Sequence, residues 1–172
     1  HVVPVRYHFG NTGYIDKVSQ SPTEFFEELK TNPIHPKTSQ PTPGDFRRQY
    51  QFLSTHYKSV ISIHLSKKLS GTFQSAKTAS KRVPESSTTL IDSMTASVAQ
   101  GLIVMYAANL AKKGLSHDTI IEMVNSIIPK TNVYLAIYDL TYPVRGGRLP
   151  KSVKIIADIL RIRVVMYIDV ID

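Results

Sequence analysis

A short turn joins an apolar run to a helical pattern near the middle of the chain, and this arrangement constrains the fold more than any other feature. Residues 60–65 are mostly apolar and predict a strand, whereas residues 72–82 follow helical spacing. The turn between them reads SKKLSG over residues 66–71. Free backbone N–H groups of the first helical turn and the positive end of the helix dipole point into such a turn. The arrangement therefore predicts an anion-binding site.

Two residues of this turn carry the prediction. Ser70 can donate its hydroxyl to an anion, and Gly71 lets the backbone approach a ligand closely. A simpler interpretation is that Ser70 only caps the following helix, a role worth about 1 kcal/mol. The turn by itself does not decide between the two.

The rest of the chain alternates between strand and helix patterns. Strands are predicted at residues 1–9, 60–65, 88–92, 132–137 and 164–170. Helices are predicted at 21–30, 42–57, 72–82, 97–113, 116–128 and 152–160, with loops at 11–20, 31–43 and 144–149. The first helix is expected to bury Phe25, Phe26 and Leu29, and Pro84 is expected to end the helix at 72–82. The alternation predicts an α/β protein with a mostly parallel sheet and helices on both faces.

Charge and cysteine content narrow the possible partners. The net charge of +8 favours an anionic partner, but the basic residues are scattered and match no common nucleic-acid motif. No cysteine is present, which excludes disulfides and thiolate sites and is compatible with a reducing cytoplasm. The six histidines lack metal-ligand spacing, so no metal site is expected. Residues 93–111 carry no charge but are too polar for a membrane span, so a buried helix is expected there.

Three motifs have alternative interpretations. Ser70 could act as a nucleophile with His64 or His56 as base and Asp92 as orienting group, although the motif is not G-x-S-x-G. The RGGR turn at residues 145–148 could bind phosphate or an acidic protein surface, or could simply be solvated. The hydroxyl-rich segment KTSQP at 37–41, held extended by its proline, could present fixed donors or form ordinary turns.

Four segments taken together closely resemble the DegV family of fatty-acid-binding proteins, which includes the FakB subunits of bacterial fatty acid kinase. They are TSQP at 38–41, SKKLSGTFQSA at 66–76, DS at 92–93 and RGGRL at 145–149. The resemblance covers nearly the whole chain. It implies a Rossmann-like N-terminal α/β lobe over residues 1–131, without the family's first strand, and the truncated start of a second α/β lobe over 132–172.

The resemblance also implies a site. Thr38 and Ser70 would bind the fatty-acid carboxylate, with backbone support from Gly71 and Thr72. Arg148, and with it Arg145, would contact the kinase subunit or the phosphoryl group. The implied protein has no catalytic residue, metal or cofactor of its own.

The function implied is that of a bacterial cytoplasmic carrier with only transient membrane contact. It would sequester a long-chain fatty acid and present the carboxylate to a partner kinase for acyl-phosphate formation. A buried carboxylate needs fixed donors, which two hydroxyls and helix-start N–H groups supply. Each buried methylene of the tail contributes about 0.8 kcal/mol. A serine esterase and a basic nucleic-acid-binding protein are the alternatives.

Overall fold

The computed structural model describes residues 1–83 and 88–168. The strands are β1 Arg6–Phe9, β2 Thr12–Ile15, β3 Lys37–Ser39, β4 Val60–His64, β5 Thr88–Asp92, β6 Tyr134–Ile137 and β7 Val164–Tyr167. The helices are α1 Pro22–Thr31, α2 Pro43–His56, α3 Thr72–Ser80, α4 Ser97–Lys112, α5 His117–Ile127, α6 Thr141–Arg145 and α7 Lys151–Leu160. The predicted helix stop at Pro84 and the predicted strand residues 169–170 lie outside the described residues.

A parallel pair of strands, β4 and β5, lies at the centre of the fold, in register from Val60↔Thr88 to His64↔Asp92. One face packs on α4 and α5 through an aliphatic core that contains Ile91, Ile103 and Val124. The opposite face packs on α2 and α3 through a second core that contains Phe46, Tyr50, Ala76 and Ala79. Helices on both faces of a parallel sheet confirm the predicted α/β class.

The outer strands pair antiparallel, so parallel pairing within the described residues is confined to β4 and β5. Strand β1 lies between β2 and β3 and is antiparallel to both. The β1–β2 connection is a short turn in which Gly10 has a φ of 60°, a left-handed conformation that suits a tight hairpin. Strands β6 and β7 form a third sheet, in which Tyr134 lies opposite Tyr167.

Several predicted boundaries need correction. The predicted loops 11–20 and 31–43 contain strands β2 and β3, which are too short for alternation to reveal and which form by pairing with β1. Phe26 was expected to be buried, but 56% of it is exposed. The residue of α1 that packs on the β1–β3 sheet is Phe25, which contacts Tyr7 and Phe9. The first two residues of the predicted turn 144–149 belong to α6, which ends at Arg145 with Gly146 as its C-cap.

Local signals placed most helix ends correctly. Ser21 with Glu24 and Thr42 with Asp45 form reciprocal capping boxes at the starts of α1 and α2. Gly114, with a φ of 77°, follows the end of α4. Among the described residues, no helix combines the length and apolar character needed to cross a membrane.

Candidate anion-binding site

A cavity of about 210 Å³ opens where β3, the turn before α3 and the end of the RGGR turn meet. Its lining comprises Val5, Thr38, Ser39, Gln40, Ser70, Gly71 and Arg148. The fold thus brings together four of the residues predicted from the sequence, Thr38, Ser70, Gly71 and Arg148, although they are far apart in the chain. The other two predicted residues, Thr72 and Arg145, do not contribute to the lining.

Thr38 reaches the cavity from strand β3. It pairs with Tyr7 of β1 in the antiparallel ladder, which fixes its backbone, while its side chain remains exposed. Pro41 follows and is fully buried, so the segment is anchored on both sides of Gln40. The Thr38 side chain therefore extends from a strand whose backbone is fixed, and it is accessible to a ligand.

Ser70 reaches the cavity from the turn that links β4 to α3. The backbone N–H groups of Leu69 and Ser70 both donate to the carbonyl oxygen of Ser66, at 3.0 and 3.2 Å, and close the turn. The Ser70 hydroxyl oxygen accepts the Thr72 backbone N–H at 3.3 Å and lies 2.9 Å from the Thr72 hydroxyl. Thr72 is buried, so it holds Ser70 from behind and does not face the cavity.

The turn is also joined to the loop that follows β5. Ser66 donates its backbone N–H to the Thr95 carbonyl oxygen at 2.8 Å. The Asp92 carboxylate accepts the backbone N–H groups of Met94 at 2.9 Å and Lys67 at 3.4 Å. The carboxyl ends of β4 and β5 thus form one hydrogen-bonded edge, as the parallel pairing predicts.

Gly71 is needed for space and not for its backbone angles. Its φ of −70° and ψ of 4° are open to any residue, and it occupies the N-cap position of α3. A Cβ added at Gly71 would overlap the Gln40 side-chain amide, lying 2.7 Å from Cδ and 2.8 Å from Nε2. Close approach was predicted at Gly71, but the approaching group in the structure is Gln40.

One positively charged side chain lines the cavity. Arg148 lines it, and its guanidinium donates back to the Gly146 carbonyl oxygen. The His35 ring lies against Tyr142, with the ring centroids 5.0 Å apart. Burial, together with the nearby charges of Arg145 and Lys37, lowers the pKa of His35. None of the lining residues is acidic, so the site suits an anion.

Within the described residues, the contacts of Ser70 differ from those expected of a serine esterase. Nε2 of His64 lies 2.8 Å from the Ser62 hydroxyl and 3.4 Å from the Tyr50 hydroxyl, on the α2–α3 side of the sheet. Burial lowers the pKa of His64 to about 4, which keeps its imidazole neutral. Nδ1 of His56 contacts the Phe52 carbonyl oxygen at 2.7 Å. The Ser70 hydroxyl contacts Thr72, so the arrangement favours binding over nucleophilic attack.

Sequence reasoning did not assign three residues of the lining to the site: Val5, Ser39 and Gln40. Gln40 was visible as part of the TSQP segment, but only the tertiary contact with Gly71 shows where its amide lies. Within residues 1–83 and 88–168, no group of three or more histidine or acidic side chains is placed to hold a metal ion.

The chain matches, over residues 1–170, the family model described as "Uncharacterised protein, DegV family". This protein belongs to the DegV family. It spans about 60% of the length of the curated relatives that it matches, at 31–36% identity among those most similar in sequence.

Solved structures of the same family superpose well on the chain. A fatty-acid-binding DegV family protein from Thermus thermophilus is 29% identical with a TM-score of 0.87, covering 99% of this chain and 60% of its own. DegV from Bacillus subtilis, described as a fatty acid binding protein, is 34% identical with a TM-score of 0.86, covering 98% and 60%. The Fatty Acid Kinase B3 protein of Streptococcus pneumoniae, loaded with linoleic acid, is 23% identical with a TM-score of 0.86, covering 97% and 59%, and shares the fold.

Proposed function

We propose that this protein binds a long-chain fatty acid and holds the carboxylate in the cavity between Thr38 and Ser70. The observation that carries the proposal is that Thr38, Ser70 and Arg148 line one cavity, with no acidic residue among its lining. Family membership supports the ligand class, since two relatives above 25% identity are described as fatty-acid-binding proteins.

The head group would be recognised by neutral donors. Thr72 can donate both its backbone N–H and its hydroxyl to the Ser70 oxygen. Ser70 would then direct its own O–H at the carboxylate, and hydrogen bonds in such a chain strengthen one another. Thr38 would donate from the opposite wall of the cavity. Arg148 would add a long-range attraction for the negative charge.

The tail requires more room than this cavity offers. Its volume of about 210 Å³ falls below the range of roughly 300–1,000 Å³ typical of small-molecule pockets. We place the acyl chain beyond the head-group site, between the lobe over residues 1–131 and the second lobe that begins near residue 132. Each methylene removed from water there would stabilise the complex by about 0.8 kcal/mol.

The second part of the proposal concerns a partner kinase. Arg148 is part of the lining of the head-group cavity, and Arg145 lies on the preceding helix α6. A kinase bound at this surface would transfer the terminal phosphoryl group of ATP to a carboxylate oxygen, yielding an acyl phosphate and ADP. This chain would supply no acid or base to that step, because its contribution is to hold and present the carboxylate.

Organic extraction of the purified protein, followed by mass spectrometry, tests the ligand directly. We expect one fatty acid per chain, and delipidated protein should take up radiolabelled palmitate or oleate in equilibrium dialysis. A protein that carries no fatty acid and binds neither probe would contradict the proposal. Hydrolysis of a fatty acyl ester, or binding of DNA that weakens steeply with salt, would point instead to an esterase or a nucleic-acid-binding protein.

A further inference from the structure

The side chain of Gln40 connects the two walls of the head-group cavity. Gln40 lies two residues after Thr38, and its Nε2 donates to the Ser75 hydroxyl of α3 at 3.2 Å. The same amide lies over Gly71, occupying the space where any other residue would place its Cβ. One side chain thus contacts α3 and the turn that carries Ser70, while its backbone continues from the strand that carries Thr38.

The contact is specific in both chemistry and shape. Ser75 is buried, so its hydroxyl needs a partner, and a buried hydroxyl without one is costly. Gly71 has ordinary backbone angles, so the missing side chain provides space there, and the Gln40 amide occupies that space. Moving the amide away from Gly71 would break its hydrogen bond to Ser75.

We infer that Gln40 is a positioning residue that sets the separation of the Thr38 and Ser70 hydroxyls, acting through its packing on Gly71 and its hydrogen bond to Ser75. This inference rests on the proposed function, in which both hydroxyls bind one carboxylate. Two donors bind one carboxylate well only when their spacing is fixed beforehand, because ordering them on binding consumes binding free energy. Gln40 would set that spacing through its contacts with Gly71 and Ser75.

The test compares four variants of the protein at its native length by their dissociation constants for palmitate. Gln40→Ala should weaken binding about tenfold, and Gln40→Met, which keeps volume over Gly71 but donates no hydrogen bond, should weaken it less. Gly71→Ala should weaken binding more than Gln40→Ala, because the displaced Gln40 amide is then crowded against the added methyl group. The double variant Gly71→Ala with Gln40→Ala should bind better than Gly71→Ala alone, since the methyl group then enters vacated space.

Gln74→Ala is the matched control, since Gln74 is exposed on the same helix and does not line the cavity. Its affinity for palmitate should equal that of the wild type. Melting temperatures are measured for every variant, and only variants that melt within a few degrees of the wild type are compared. The inference is overturned if Gln40→Ala binds palmitate as tightly as the wild type, or if the double variant binds no better than Gly71→Ala.

Amide hydrogen exchange of the ligand-free protein separates this inference from the proposed function. Gln40→Ala removes the contacts of Gln40 with Gly71 and Ser75, so the backbone amides of Ser70, Gly71 and Thr72 should exchange faster in this variant. Gln74→Ala should leave their exchange unchanged. Faster exchange in a protein whose wild type binds no palmitate would retain the positioning role and overturn only the fatty-acid proposal. Unchanged exchange in Gln40→Ala would overturn the positioning role itself.

Discussion

The hydroxyl oxygens of Ser70 and Thr72 lie 2.9 Å apart, and the Thr72 backbone N–H donates to the same Ser70 oxygen at 3.3 Å. Thr72 is buried at the start of α3, whereas Ser70 lines the cavity. The buried threonine therefore orients the serine, and when the Thr72 hydroxyl is the donor of the pair, the Ser70 proton is available to a ligand.

Ser70→Ala should weaken fatty-acid binding by roughly 10- to 100-fold, because a hydrogen bond to a charged group is worth about 1.5–3 kcal/mol. The fold should persist, since the turn is closed by backbone bonds to the Ser66 carbonyl oxygen. The measurement is the dissociation constant for palmitate. Ser126→Ala, which removes an exposed hydroxyl from α5, should leave this constant unchanged. An unaltered affinity in Ser70→Ala would remove Ser70 from the head-group site.

Thr38→Val should weaken the same binding by about tenfold, since Thr38 is more exposed and water competes for its hydroxyl. Valine has the shape of threonine and suits a strand, so β3 should keep its pairing with β1. Thr78→Val on the exposed face of α3 is the control. If Thr38→Val released no more fatty acid than Thr78→Val, the second donor would have to be sought elsewhere.

Arg148→Ala should reduce acyl-phosphate formation by a partner kinase more strongly than it reduces fatty-acid affinity. Arg148 lines the cavity proposed to hold the head group, where a partner would meet it. The two readouts are acyl phosphate formed at saturating fatty acid and palmitate affinity without kinase. Arg47→Ala removes one equal charge from the exposed face of α2 and should alter neither. A loss of palmitate affinity with unchanged acyl-phosphate formation would assign Arg148 to ligand binding alone.

His64 should make stability depend on pH. Burial lowers the pKa of His64 from 6.5 to about 4 in the folded protein. Between those values the unfolded chain binds more protons at His64 than the folded protein does. The contribution of His64 to the free energy of unfolding is therefore fully present above pH 6.5 and decreases as the pH falls toward 4. The loss by pH 4 is about 3 kcal/mol by linkage.

His64→Gln should flatten that pH dependence, because glutamine can hydrogen-bond with the Ser62 hydroxyl but does not titrate. Urea unfolding between pH 7 and pH 4 measures the effect in both proteins. Parallel stability curves for the variant and the wild type would show that His64 is not the titrating group.

Signals from neighbouring residues in the sequence were sufficient to predict many of the helices and strands. Strand β5 occupies the predicted residues 88–92, and its Ile91 and Leu90 pack into the cores on opposite faces of the sheet. The capping boxes at Ser21 and Thr42 were predicted from the adjacent residues that form them. Such features depend on neighbours in the sequence, so the sequence contains their whole cause.

Strands β2 and β3 and the exposure of Phe26 could not be predicted in this way. Three or four residues are too few to show alternation, and β3 is a strand only because β1 pairs with it. Phe26 has the same apolar character as Phe25, but only Phe25 faces the sheet. Strand pairing, and the choice of which side chain packs on the sheet, are properties of the folded chain.

The amino-acid order alone determined the α/β class, the anion-accepting turn before α3 and, through the DegV motifs, the residues Thr38, Ser70 and Arg148 as candidates. The tertiary structure decided that these residues line one cavity, and that Gly71 makes room for Gln40. The physical reason is that hydrogen-bonding and helix-capping preferences act over a few residues. The meeting of β3 with the start of α3 depends instead on β1–β3 pairing and on the packing of α2 against α3.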